Sequence, residues 1–401
     1  MRRTILPIVA AAALMLPSVL HAETADTTMS TLTEPAHYVG ADVRSAWLVP
    51  NSEFFKGENE LGKRLDKTVS AYLKYVFSYA PDSRQGRMYP HTYQGIGVGY
   101  HNFFDKKEVG NPLSLYVLQG SRIARLSSRL TLDYEWNFGA SFGWKKYDEI
   151  ENWYNTVVGS RMNAYINAGF MLNYRLSRDV NMTFGIDISH FSNGNTSYPN
   201  EGVNTIGARI GIVKSFGRSA SAEPSLPRIF VEPHISYDLV IYGATRKRAI
   251  IGEDDKFMVP GSFAIVGLNF NPLYNFNNYF AAGASLDVQY DESANIKDHV
   301  ASDDGSTSGE ATQFYRPPFS ESLAAGLSLR AELIMPIFSI NVGIGHNVIY
   351  KGSDNGGFYQ MVVLKAHVMK NLFLHVGYRL INFKDPSNLM LGIGYRFGNR
   401  R

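Results

Sequence analysis

Residues 184–212 read FGIDISHFSNGNTSYPNEGVNTIGARIGI. Phe184, Ile186 and Ile188 alternate with Gly185, Asp187 and Ser189. After a polar loop, Asn204, Ile206, Ala208, Ile210 and Ile212 alternate with Thr205, Gly207, Arg209 and Gly211. A period of two places alternate residues on opposite faces of a strand. An apolar face backed by a polar one, over about nine or more residues, is the pattern of a tilted strand crossing a membrane. His190 and Ser192 share the parity of the apolar set, so they sit at the outer end of the lipid-facing surface. Asn204 falls on the same face of the neighbouring strand.

The same alternation recurs along the chain. Val69, Ala71, Leu73, Tyr75, Phe77 and Tyr79 show it. So do YQGIGVGYHNFF, LTLDYEWNFGASFGW, NAYINAGFMLNYRL, RIFVEPHISYDLVIY, SFAIVGLNFN, YFAAGASLDVQY, SLAAGLSLRAELI, IFSINVGIGHNVIY, YQMVVLKAHVM, LFLHVGYRLINF and LMLGIGYRFG. In the last, Leu391, Ile393, Tyr395 and Phe397 face lipid while Gly392, Gly394 and Arg396 face inward. The connections near 125–129, 176–179, 272–277, 335–337 and 370 are short; those at 145–157, 193–203, 243–260 and 291–320 are long. Short turns are periplasmic and long loops extracellular in outer-membrane barrels, which puts 193–203 outside the cell. The acidic, apolar-poor segment 291–320 lacks the spacing of a calcium loop and reads as a solvated one.

Composition agrees with an all-β, antiparallel transmembrane barrel. There are 24 Tyr, 24 Phe and 36 Gly, with only 19% charged residues, which suits aromatic girdles around a polar lumen. A soluble sandwich would also alternate, but the many long spans, the aromatic load and an export signal favour the membrane. That signal is MRRTILPIVAAAALMLPSVLHA, with two arginines, an apolar stretch from Ile5 to Leu20 and a small residue at Ala22; residues 1–22 are expected to be cleaved. Removing Arg2 and Arg3 leaves 37 basic against 36 acidic residues, a balance that argues against nucleic-acid binding. With no cysteine, disulfides, thiolate metal sites and cysteine nucleophiles are excluded. Residues 23–60 lack sustained periodicity and read as a periplasmic lead-in. About fifteen spans are visible, and the expectation is a single barrel over 61–401 of about 14 strands (12–16), with two consecutive small barrels as the other architecture.

Two residues apart on a strand, an imidazole and a hydroxyl can lean together into a hydrogen bond. Histidine has the pKa to take a serine proton near neutrality, and a third group must orient the ring. Polar groups on a lipid face need a reason, although the interfacial zone makes them cheap and H-x-S recurs by chance. The longer pattern H-F-S-N-G then P-N-E-G-V-N, comprising His190, Ser192, Asn193, Pro199, Asn200, Gly202 and Asn204, resembles the signature of the PagL-type lipid A 3-O-deacylases, or acyloxyacyl hydrolases. That resemblance covers about residues 180–215 closely and 61–217 loosely, with 218–401 as further barrel strands. It implies an outer-membrane serine esterase that removes an ester-linked 3-hydroxyacyl chain from lipid A or lipopolysaccharide. Ser192 would be nucleophile and His190 general base, with Asn193 and the Gly194 amide as oxyanion donors. No metal or organic cofactor is implied.

Two departures accompany the resemblance. Asn204 stands where the family has a glutamate; asparagine orients histidine in papain-like proteases, and Glu201, the nearest acid, has the wrong parity. The chain is also longer than the family's small eight-stranded members. Arg246, Lys247 and Arg248, in ATRKRA, fall in an expected extracellular loop and could meet lipid A phosphates, though a solvated loop explains them as well. The rival reading of the whole chain is a porin or transporter barrel carrying a relic motif, and a third is an adhesive barrel using its long loops. A homodimer is left open.

Overall fold

The computed structural model describes residues 33–216, 224–251, 256–259, 261–299, 314–383 and 385–401. The expected signal sequence lies outside them. The alternating segments become strands β1 (Ala36–Leu48), β2 (Lys67–Ser78), β3 (Thr92–Asn102), β4 (Gly110–Arg125), β5 (Leu130–Trp144), β6 (Met162–Arg175), β7 (Val180–Ser192) and β8 (Val203–Phe216), and these close into one antiparallel barrel. β9 (His234–Arg246) starts a second ring with β12 (Phe263–Asn275), β13 (Phe280–Asp291), β14 (Leu323–Ile334), β15 (Phe338–Ile349), β16 (Phe358–His367), β17 (Leu372–Ile381) and β18 (Asp385–Phe397). A short hairpin, β10 (Ala249–Ile251) with β11 (Lys256–Met258), stands apart from both rings.

The single larger barrel is therefore replaced by two eight-stranded ones, with sixteen barrel strands in total. The correction turns on two pairings: β8 hydrogen-bonds back to β1 and β18 back to β9. The lead-in at 23–60 is corrected too, because Ala36–Leu48 is the first barrel strand. Its buried face is Ala36, Tyr38, Asp42, Arg44, Ala46 and Leu48, while Val39, Val43 and Trp47 are exposed. At the start of the second ring, residues 228–233 are not strand; Ile229 and Val231 pack on Met88 and Tyr89, at the end away from the 193–203 loop.

Eight strands enclose an interior just wide enough for side chains to fill, and the parity of each strand decides what fills it. In the first barrel Arg44 Nε lies 2.5 Å from Asp187 Oδ1, Arg209 bridges Asp187 at 3.0 Å and Glu135 at 3.1 Å, and Lys74 reaches Glu135 at 2.9 Å. In the second, Arg396 bridges Asp238 and Glu332 at 2.6 Å each, Lys365 meets the same two acids, and Arg330 lies 2.6 Å from Asp287. These buried ion pairs cross both lumens, which counts against the porin reading. Breaking a buried pair strands a charge. Arg209→Met is accordingly expected to lower the first barrel's stability by about 3 kcal/mol, measured as a lower temperature for its heat-modifiable shift in electrophoretic mobility. An unchanged shift would mean that the remaining pairs, Arg44 with Asp187 and Lys74 with Glu135, suffice.

The outer walls meet along a greasy seam. Tyr134, Trp136 and Phe138 of β5 have outward parity yet are buried or half-buried, because they pack with Val117 against Met335, Ile337, Phe338, Ile340, Leu364 and Ala366 of the second barrel. The Trp136 and Phe338 rings meet edge to face at 5.2 Å, a favoured aromatic geometry. At the end away from the 193–203 loop, Tyr89 donates its hydroxyl to the Asn278 carbonyl at 3.1 Å, and Asn278 donates to Met88 O at 3.1 Å and Ile229 O at 2.7 Å.

Candidate functional site

β7 exposes Phe184, Ile186 and Ile188, then turns half-buried at His190 and Ser192. Between the two polar residues Phe191 points inward. Its ring lies 5.0–6.0 Å from those of His101, Phe103, Trp144 and Tyr165, so this aromatic anchor pins the backbone that carries the outward pair. Histidine–serine hydrogen bonds elsewhere are of a different kind: His367 Nε2 meets Ser339 Oγ at 3.1 Å in the second barrel, and a second histidine is buried in the first. His101 is 2% exposed and held in the lumen by Ser70 at 3.0 Å and Ser114 at 2.9 Å, where no bulky substrate reaches it.

His190 and Asn204 are direct cross-strand partners. The His190 Nδ1–H donates to Asn204 Oδ1 at 2.7 Å. This leaves the Nε2 lone pair free to accept a proton. The parity carried across the 193–203 loop thus holds. Glu201 is placed elsewhere: it is exposed, its carboxylate accepts from Thr156 Oγ1 at 3.2 Å, and its carbonyl accepts from Asn51 Nδ2 at 3.0 Å.

Ser192 Oγ accepts the Gly194 N–H at 3.2 Å. A Cβ added at Gly202 would sit 3.2 Å from His190 Cε1 and 3.7 Å from Ser192 Cβ, so imidazole and serine border one small space that the missing side chain leaves open. Gly202 also has φ +74°, a conformation glycine adopts without penalty. Sequence reading did not single out Phe191 or assign Gly202 this role; the inward parity of the middle residue in H-F-S was the available signal.

Asn193 departs from its expected part. It is buried; its Oδ1 accepts from Thr196 N and Ser197 N at 3.1 and 3.4 Å, its Nδ2 donates to Ser197 O at 2.8 Å, and its own N–H donates to Asn200 Oδ1 at 2.9 Å. It builds the loop, whereas the Gly194 amide lies against the serine oxygen. The basic triplet also separates. β9 runs on to Arg246, whose parity turns it inward to Asp291 at 2.5 Å, and Arg248 pairs with Asp354. Lys247 stays exposed, its backbone N–H donating to Thr196 O at 3.1 Å. Contacts of the site loop with the second barrel continue through Asn195 Nδ2, which donates to Ser387 O at 3.2 Å. A Cβ on Gly194 would lie 3.2 Å from Leu389.

Two family models match, one per barrel: "Lipid A 3-O-deacylase (PagL)" over residues 38–213 and "Acyloxyacyl hydrolase, C-terminal domain" over residues 235–400. No curated protein matches the chain. Among solved structures, Neisserial surface protein A is 12% identical, with 45% of this chain and 99% of that one covered and a TM-score of 0.31. The outer membrane enzyme PagL is 13% identical, covering 43% and 97%, with a TM-score of 0.30. The ferric enterobactin receptor PfeA is 11% identical over 86% of this chain and 44% of its own, with a TM-score of 0.24.

Proposed function

The chain belongs to the PagL family of lipid A 3-O-deacylases, outer-membrane ester hydrolases, and from that premise we propose that its first barrel cleaves the 3-hydroxyacyl ester at His190 and Ser192. The observation that supports this reading is the 2.7 Å His190–Asn204 hydrogen bond on a lipid-facing wall, with Ser192 two residues along the same face.

The lipid substrate already lies in the plane of that wall. Its acyl chain would run along Phe184, Ile186, Ile188, Ile206 and Ile210, all exposed, which brings the ester carbonyl to the interfacial end of β7. Nε2 of His190 takes the Ser192 proton as Oγ attacks the carbonyl carbon. The Gly194 N–H, 3.2 Å from Oγ, would donate to the tetrahedral oxyanion. Collapse expels the sugar 3-oxygen, which takes the proton back from the imidazolium; water, deprotonated by the same ring, then releases the fatty acid from Ser192. Asn204 holds the tautomer but supplies no negative charge to the imidazolium.

Mass spectrometry of lipid A from cells with and without the gene tests the activity: the expressed protein should remove one 3-hydroxyacyl chain. In planar bilayers the filled lumens should give no stable conductance steps. Steady steps without hydrolysis would instead establish the channel reading.

A further inference from the structure

Among the described residues, six arginines are buried: Arg44, Arg209, Arg246, Arg330, Arg379 and Arg396. Five of them have a carboxylate within 3.1 Å. Arg379 is the exception. It is 3% exposed, and among the described residues it has only neutral partners: Nη2 donates to Asn347 Oδ1 at 3.1 Å, Nη1 to Gln289 Oε1 at 3.4 Å, and the guanidinium lies 4.0 Å over the Tyr359 ring. Among the described residues its Nε has no hydrogen-bond partner. A guanidinium stays protonated even when buried, so among the described residues this charge is held out of water without a counter-ion, a costly arrangement.

Arg379 lines a cavity of about 260 Å³ at the outer mouth of the second barrel, together with Arg246, Arg248, Asp291, Asp354 and Asn347. Three guanidinium groups there face two carboxylates. We propose that this cavity is an anion site for a phosphate group, with Arg379 as its central donor. Guanidinium forks match phosphate oxygens in geometry and charge, and the volume admits a phosphate with some of its water. The site lies next to the reaction centre: Arg246 Nη1 donates to Ser387 O at 2.7 Å, and the same carbonyl accepts Asn195 of the catalytic loop at 3.2 Å. The phosphate is either carried by the lipid A headgroup or free. The first source rests on the deacylase reading; the site itself does not.

Isothermal titration of inorganic phosphate into the full-length protein in detergent tests this. Wild type should bind saturably and Arg379→Met at least about tenfold more weakly, the loss expected for one charge-assisted contact. Arg379→Lys, which keeps the charge but gives up the fork, should fall between. Heat-modifiable mobility reports whether each variant is folded, and the lysine variant serves alone if the methionine one is not. Displacement of bound phosphate by phosphorylated but not by dephosphorylated lipid A would identify the headgroup as the source; displacement by neither would identify free phosphate. No saturable binding by wild type, or wild-type affinity in a folded Arg379 variant, overturns the proposal. Failure of the deacylase reading shows separately, as phosphate binding without acyl release.

Discussion

Ser192→Ala is expected to lower release of the 3-hydroxyacyl chain by about 10⁴-fold or more, because removing a nucleophile that acts together with its base forfeits nearly all the chemistry the pair supplies. The substitution deletes one half-buried oxygen and its contact from Gly194 N. Barrel closure and heat-modifiable mobility should therefore be unchanged. Mass spectrometry of lipid A after incubation with purified variant and wild type reads the outcome. Hydrolysis at the wild-type rate by Ser192→Ala would remove the serine from the mechanism and leave His190 to activate water directly.

The next largest effect is expected at Asn204. Asn204→Ala deletes the acceptor of the His190 Nδ1–H, so the ring can flip or take the other tautomer, and the rate should fall by about 10²-fold, less than the ~10⁴-fold that a wrong tautomer costs when the orienting residue is an acid, because no charge is lost here. Asn204→Asp or Asn204→Glu restores an acceptor and adds the charge that imidazolium lacks here, so these variants should be at least as active as wild type. Glu201→Gln, which alters only a carboxylate that accepts from Thr156, should be near neutral. Full activity in Asn204→Ala together with loss in Glu201→Gln would mean that the loop rearranges when substrate binds and that Glu201 takes over the orienting role.

How far the sequence reads ahead of the structure differs from feature to feature. Alternation identified which residues face lipid, including Leu391, Ile393, Tyr395 and Phe397, because a period of two is a local property. It could not identify which edges meet. β8 hydrogen-bonds to β1, not to the next strand in the chain, and nothing local in Val203–Phe216 distinguishes a strand that seals a ring from one that continues it. RIFVEPHISYDLVIY reads as a span from Arg228 onward, so Pro224, Pro227 and Pro233 mark no boundary between rings. β1 escaped because its inward face mixes Gly40, Asp42 and Arg44 with small residues. β4 escaped because register shifts at Gly110/Leu113 and Arg122/Ala124 break its alternation, as bulges do. His190, Ser192 and Asn204 were legible by parity, since one pairing register fixes all three. Arg246 was equally legible: it shares the parity of Asp238, Val240 and Tyr242, all inward, and only the assumption that β9 had already ended placed it in a loop.

The two ring closures also set an order of events in biogenesis. Tyr38 pairs with Ser215 and Tyr237 with Phe397, so the first ring can be sealed from residues made before the second exists, and each seal spans roughly half the contour that one sixteen-stranded ring would require. The entropic cost of bringing such ends together grows only slowly with length, so the gain is mainly in bookkeeping for the insertion machinery: two short circuits, each with a single seam. Leu389 and Ser387, however, lie on the final strand. The 193–203 loop of the first ring can seat Gly194 and Asn195 against them only once the last strand is in place, which makes the proposed reaction centre among the last parts of the molecule to mature.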